Sequence, residues 1–304
     1  MKTLLQNTLA FRIVEGKLAD GRRGHAYLLV GEDESCLREQ LRYFAALLYH
    51  GDARKTSLIE RESFVDCLYY PEVGKKLTAE NANEIVEQSI VRPIEGDTKL
   101  FVLDSFHLAN GSVQNKLLKV LEEPPEGVVF LLGATSTYPI LPTILSRVEK
   151  LELPLFSDDE VYGFLKRKYD KTEEELSVAA KAGCGRLSRA EAFLAGGAYA
   201  DAVELAVRAL EGKDVPALAA EIDAFGNKEV FLSVFKTVCR DCLLPEYSIL
   251  RREKGVYPKA ALVSAINLIS KTEREVKLNA NYRQAVELLL ATIKKEKEKW
   301  SRLS

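Results

Sequence analysis

The 304-residue chain is 47% hydrophobic and 29% charged, which suits two or three globular domains whose cores need no covalent staples. A net charge of −2 excludes a globally basic nucleic-acid binder and leaves only local patches for such contacts. The five cysteines (Cys36, Cys67, Cys184, Cys239 and Cys242) are odd in number and scattered, which excludes a disulfide framework and fits reduced thiols in cytoplasm.

The segment from Met1 to Phe11 has one lysine and is interrupted by Gln6, Asn7 and Thr8, so it reads as a short helix and not as a secretory signal. No run approaches about 18 consecutive apolar residues, so no membrane span is expected. The apolar run Ala26–Val30, ending at Gly31, reads as a strand. Leu37, Leu41, Phe44 and Leu48 then recur at helical spacing. Phe64–Tyr70, closed by Pro71, is a second strand, and a helix is expected from about Ala79 to Val91. Lys99–Leu103, ending in Asp104, is a third strand. Val113, Leu117 and Leu121 recur every four residues and give a helix that Pro124 ends. Val128–Leu132 and Val148–Leu153 complete five strands. Such alternation predicts a parallel sheet covered on both faces, with the ligand crevice beyond the carboxyl ends of the strands, where Gly31, Asp104 and Thr135 fall. After Pro154 only helical signals remain. They form a small region broken by Gly183, Gly185, Gly196 and Gly197, then a longer one broken at Gly212, Pro216, Gly226, Pro245 and Gly255–Pro258.

Five blocks carry a family resemblance: His25-Ala-Tyr-Leu-Leu, Arg92-Pro-Ile-Glu-Gly-Asp97, Asn115-Lys-Leu-Leu-Lys-Val-Leu-Glu-Glu-Pro-Pro125, Pro142-Thr-Ile-Leu-Ser-Arg147 and Asn281-Tyr-Arg-Gln-Ala-Val-Glu-Leu-Leu-Leu290. The chain resembles the delta-prime subunits of the bacterial DNA polymerase III clamp loader, within the AAA+ superfamily. The resemblance implies an α/β AAA+ core with a doubly wound parallel sheet over residues 1–155, an all-α lid over 156–203 and an all-α collar over 204–304. It also implies a ring in which tau/gamma motor and delta subunits are partners, and in which the sliding clamp and primer-template DNA are reached through the complex.

Against that family the nucleotide site is degenerate. A phosphate-binding loop needs glycines so that backbone can wrap the phosphates, and a lysine to neutralise them. Here the turn reads Gly31-Glu-Asp-Glu-Ser-Cys-Leu-Arg38; only the first glycine remains, Leu37 takes the lysine position, and Arg38 is a weak substitute. Glu32, Asp33 and Glu34 oppose a triphosphate, since like charges at about 4 Å repel by about 1 kcal/mol even in water. Asp104 matches the family's first metal-site acid, but Ser105 stands where the second would be, and a serine without an activating partner is no general base. Asp104 is therefore expected to cap nearby amides, and His107 to be a surface or capping residue. No nucleotide, cofactor or metal is expected on this chain; ATP and Mg²⁺ belong to neighbouring subunits. The four-cysteine zinc module of relatives is missing, because Tyr49–Tyr70 holds only Cys67. Cys239 and Cys242 are expected as packed thiols.

The resemblance assigns one catalytic role, to Arg147, as an arginine finger acting in trans on ATP held by a neighbour. A guanidinium is always charged and forms paired hydrogen bonds to phosphate oxygens. The family's Ser-Arg-Cys reads Ser146-Arg147-Val148 here. The alternative is an ordinary salt-bridging arginine at a helix end. Thr135 or Ser136 matches a phosphate-sensing position and is expected to cap a turn. Arg189 matches a lid arginine and is expected in a structural ion pair. Glu122 and Glu123, at a helix C-terminus that disfavours acids, are expected either in solvent or paired with a neighbouring subunit. Ile266, Leu268 and Ile269, and likewise Val286, Leu288, Leu289 and Leu290, pack within the chain or seal against sister subunits, and Lys294–Lys299 is a solvated helix end. Two competing readings are an active ATPase motor subunit and a helical interaction protein with a vestigial nucleotide fold.

Overall fold

The computed structural model describes residues 1–49, 53–212, 214–243, 258–278 and 280–301. They fall into two compact units, Met1–Leu155 and Phe156–Ser304. The expected breaks at Pro245 and Gly255 lie outside the described residues.

In the first unit, β1 (Ala26–Gly31), β2 (Cys67–Tyr70), β3 (Lys99–Leu103), β4 (Val128–Ala134) and β5 (Glu149–Leu153) form one parallel sheet in the order β2-β3-β4-β1-β5. β3 and β4 lie inside the sheet and are buried along their whole length, which is why they read as unbroken apolar runs. β5, at one edge, has exposed Lys150 and Glu152 between buried Leu151 and Leu153. The expected strand over 64–70 is shorter in the structure because a turn precedes it, the Cys67 amide donating to the Phe64 carbonyl at 3.1 Å. Within that turn the buried Asp66 carboxylate accepts hydrogen bonds from the Ile94 and Glu95 amides at 2.7 Å each.

Among the described residues this unit has seven α-helices: α1 (Lys2–Gln6), α2 (Leu9–Ala19), α3 (Glu34–Leu48), α4 (Ala53–Glu60), α5 (Ala79–Ser89), α6 (Gly111–Glu122) and the single-turn α7 (Pro142–Leu145). One face of the sheet packs Phe101, Leu103, Phe130 and Leu132 against Ile85 of α5 and Val113, Leu117 and Leu121 of α6. On the other face lie Leu37, Leu41 and Phe44 of α3, with Phe11 of α2 edge-on to Phe44 at 5.7 Å. Gly133 in β4 is required there: a Cβ would sit 2.7 Å from Leu41 Cδ1. The Asn110 side chain caps α6 by accepting from the Val113 amide at 3.0 Å, and Pro124 follows its end.

The second unit is helical throughout its described residues. α8 (Asp158–Lys168), α9 (Glu173–Gly183) and α10 (Leu187–Leu194) pack together, and Ser157/Glu160 and Thr172/Glu175 close capping boxes on the first two. α11 (Ala198–Glu211), α12 (Val215–Phe225), α13 (Lys228–Asp241), α14 (Lys259–Lys277) and α15 (Tyr282–Ser301) share a core built around Phe231, Phe235, Leu262, Ile269, Val286 and Leu290. Packing inside the chain thus accounts for Ile269, Val286, Leu289 and Leu290, while Leu288 remains 68% exposed. Among the described residues no helix is long and apolar enough to cross a membrane.

Candidate functional site

The crevice at the carboxyl ends of β1, β3 and β4 is occupied by the chain's own side chains. α3 starts three residues after Gly31, and its apolar stripe forces Leu37, at the family's lysine position, into the core with no exposed surface. Arg38, one position on, points into the crevice mouth. Its Nε and Nη2 donate to Glu62 Oε1 and Oε2 at 2.8 and 2.5 Å, and Nη1 donates to the Pro71 carbonyl at 2.9 Å. Nη1 also lies 3.6 Å from Asp104 Oδ2, and the guanidinium centre sits 5.6 Å from the Tyr69 ring centroid. Arg42 adds a second cation 3.5 Å from Glu62 Oε1. The fork onto Arg38 holds the Glu62 carboxyl below the usual range, and the same fork raises Arg38. Arg38 is therefore a counter-ion for Glu62 and Asp104.

Asp104, expected to cap amides, instead faces Arg38 and accepts a hydrogen bond from Ser105 Oγ at 3.2 Å. Ser105 adopts a left-handed backbone, φ 48°, so its hydroxyl folds back on Asp104 and is not offered to a water. His107 reaches across to β4. The Thr135 amide donates to its Nδ1 at 3.4 Å, so Nε2 carries the proton and donates to Thr135 Oγ1 at 3.0 Å. Burial lowers the His107 pKa, and the Glu34 and Asp104 carboxylates partly offset this. Thr135 is thus committed to His107. The turn-capping expected of Thr135 or Ser136 falls to Ser136, whose Oγ accepts from the Tyr138 amide at 3.2 Å.

Arg147 follows α7 on the connection between β4 and β5. Its guanidinium folds back: Nη1 donates to the Thr143 carbonyl at 2.7 Å and to Ser146 Oγ at 3.3 Å, and Nη2 donates to Glu122 Oε1 at 2.6 Å. Nε is buried without a partner. Glu122 is exposed, as is Glu123, and it also pairs within the chain, a partner the sequence does not indicate. Gln114 of α6, which the sequence reading passed over, braces the other end of α7. Its Nε2 donates to the Ala109 and Pro139 carbonyls at 2.8 and 2.9 Å, and its Oε1 accepts from the Leu141 amide at 2.8 Å. The available signal was a glutamine inside the buried stripe Val113, Leu117, Leu121, where only a fully hydrogen-bonded polar group is tolerated.

Arg189 lies on α10 of the second unit. Cys239 and Cys242 pack with the core of that unit. Burial pushes the Cys67 thiol up to about 12, the behaviour of an inert packed cysteine.

A family model described as DNA polymerase III, delta subunit, matches residues 6–157. The DNA polymerase III subunit tau/gamma of Haemophilus influenzae is 30% identical over 153 residues, 47% of this chain and 22% of that protein. The subunit tau of Escherichia coli is 31% identical over 103 residues, 34% of this chain and 16% of that protein. The chain thus spans about a fifth of the length of these curated relatives. Among solved structures, a gamma subunit-related protein from Thermotoga maritima superposes with a TM-score of 0.50 at 18% identity, over 94% of this chain and 99% of that one. This last likeness is one of fold.

Proposed function

The chain belongs to the DNA polymerase III delta-subunit family, and from that premise we propose that it is a non-catalytic, delta-prime-type subunit of a cytoplasmic clamp loader. Its fold is an AAA+ α/β core followed by all-α segments. In this reading residues 156–203 serve as lid and 204–304 as collar. The chain scaffolds a ring with delta and tau/gamma-type motor subunits, and it supplies Arg147 to ATP and Mg²⁺ held by an adjacent motor. Sliding clamp and primed DNA are met through the assembly, DNA chiefly by its backbone phosphates. The chain itself holds no nucleotide and hydrolyses none.

The observation that supports this best is the Arg38–Glu62–Asp104 ion cluster beside a buried Leu37. A polyphosphate entering there would meet two carboxylates paired with Arg38 and Arg42, and would have to break a two-bond fork to gain the Arg38 cation. The competing reading, an active motor ATPase, draws on the tau/gamma names of the matched relatives. Isothermal titration of the isolated chain with a non-hydrolysable ATP analogue and Mg²⁺ separates the two. No binding heat is expected up to millimolar analogue; micromolar binding rejects the proposal.

A further inference from the structure

Arg147 is held in a pose unsuited to reaching outward, and one acidic residue is among those that hold it there. Its guanidinium lies back along α7, with Nη1 on the Thr143 carbonyl and Nη2 on Glu122. Glu122 is the last residue of α6, where the helix dipole disfavours an acid and so favours its taking a cation. The contact is made through a single carboxylate oxygen, Oε1 at 2.6 Å on Nη2, while Nε is buried. A phosphate group carries more negative charge than the carboxylate and can take over that one Nη2 contact. Both partners are partly in water, with side-chain exposures of 28% for Arg147 and 54% for Glu122, so the pair is weak enough to open.

We propose that Glu122 parks Arg147: it is a cis counter-ion that keeps the guanidinium retracted until a phosphate on a neighbouring subunit displaces it, so that carboxylate and phosphate compete for one set of donors. This rests on the trans role of Arg147 argued above and adds a positioning residue to it. Gln114 and Glu122 stand two helical turns apart on α6 and hold α7 at its two ends. The brace at Gln114 is buried and satisfied; the one at Glu122 is exposed and exchangeable.

The test uses the assembled complex of this chain with its cognate tau/gamma-type ATPase, and follows turnover against ATP concentration for the natural chain, E122Q, R147A and the double variant. A trans arginine contributes about 10³–10⁵-fold at the site it serves, so R147A removes that site's share of turnover. E122Q lowers the half-saturating ATP about two- to five-fold, the scale of one partly exposed ion pair, and the double variant behaves as R147A alone. A parallel measurement needs no partner: in ¹⁵N spectra of the isolated chain, the Arg147 Nη resonances, assigned by their loss in R147K, are distinct in the natural chain and averaged in E122Q. If R147A turns over ATP as the natural complex does, the trans role fails, whatever the spectra show. If R147A is impaired but E122Q keeps the natural ATP dependence, or is impaired in the same way, or leaves the Nη resonances unaltered, the parking role fails and the trans role stands.

Discussion

At Glu62 a left-handed backbone, φ 55°, coincides with a two-bond fork onto Arg38. That conformation costs a non-glycine residue of order 1 kcal/mol or more and persists only where the surroundings hold it. The end of α4 supplies the hold, the Glu62 amide donating to the Ile59 carbonyl and the Ser63 amide to the Leu58 carbonyl, each at 2.9 Å. The Arg38–Glu62 pair is largely screened from water, with side-chain exposures of 14% and 22%. Because the Glu62 pKa is depressed on folding, its contribution is fully present above the ordinary carboxylate range and is lost as pH falls through the lowered folded value. Glu62→Gln is expected to cost about 1–3 kcal/mol near neutrality, by leaving a charged donor short of its acceptor. Urea unfolding at pH 7 and again near pH 3 checks this: the gap between variant and natural chain should close in acid. A gap that persists unchanged at low pH would mean the carboxylate charge is not what matters. The sequence shows the missing lysine at residue 37 directly. It does not show the partner, Glu62, which lies 24 residues from Arg38 just past the end of α4.

Among the elements, α6 has two duties, and sequence periodicity reveals one of them. Val113, Leu117 and Leu121 announce the face that packs on the sheet. Gln114 sits beside that face and ties α6 to the approach to α7 through three hydrogen bonds. Replacing it with Leu keeps the volume but takes a partner from the buried Ala109 carbonyl, at about 1–3 kcal/mol for a buried group left unmet, and from the less buried Leu141 amide and Pro139 carbonyl. Q114L is therefore expected to lower the denaturation midpoint of the chain, and in the complex to lower the turnover that depends on Arg147. Midpoint and turnover both equal to those of the natural chain would remove Gln114 from this role. β1, β3 and β4 are legible because burial on both faces leaves continuous apolar runs. β2 is over-read by three residues because a turn from Phe64 to Cys67, in which the Asp66 carboxylate is tied to amides 28 and 29 positions away, takes the place of its first residues. α4 is not anticipated: Ile59 is its buried apolar residue, too little to set a period.

At the scale of the molecule, each unit has its own hydrophobic core, one around Phe101 and Phe130 and the other around Phe231 and Phe235. Residues 156–304 expressed alone are accordingly expected to give a helical circular-dichroism spectrum and a cooperative thermal transition. A flat melting curve would show that this half draws its order from the other. The change from alternating strands and helices to helices alone, legible at Pro154, falls beside the boundary between the units at Leu155 and Phe156. The interior arrangement of the second unit was not legible, because amphipathic helices declare which face is apolar but not which neighbour covers it.

The Arg38 cluster has one further consequence. Under the proposed function, an AAA+ protomer with an internal cation where others await fuel would have no loaded and spent forms to alternate between. Its core would then keep a single geometry at any ratio of ATP to ADP, and the moving members of a ring would have one fixed surface to work against.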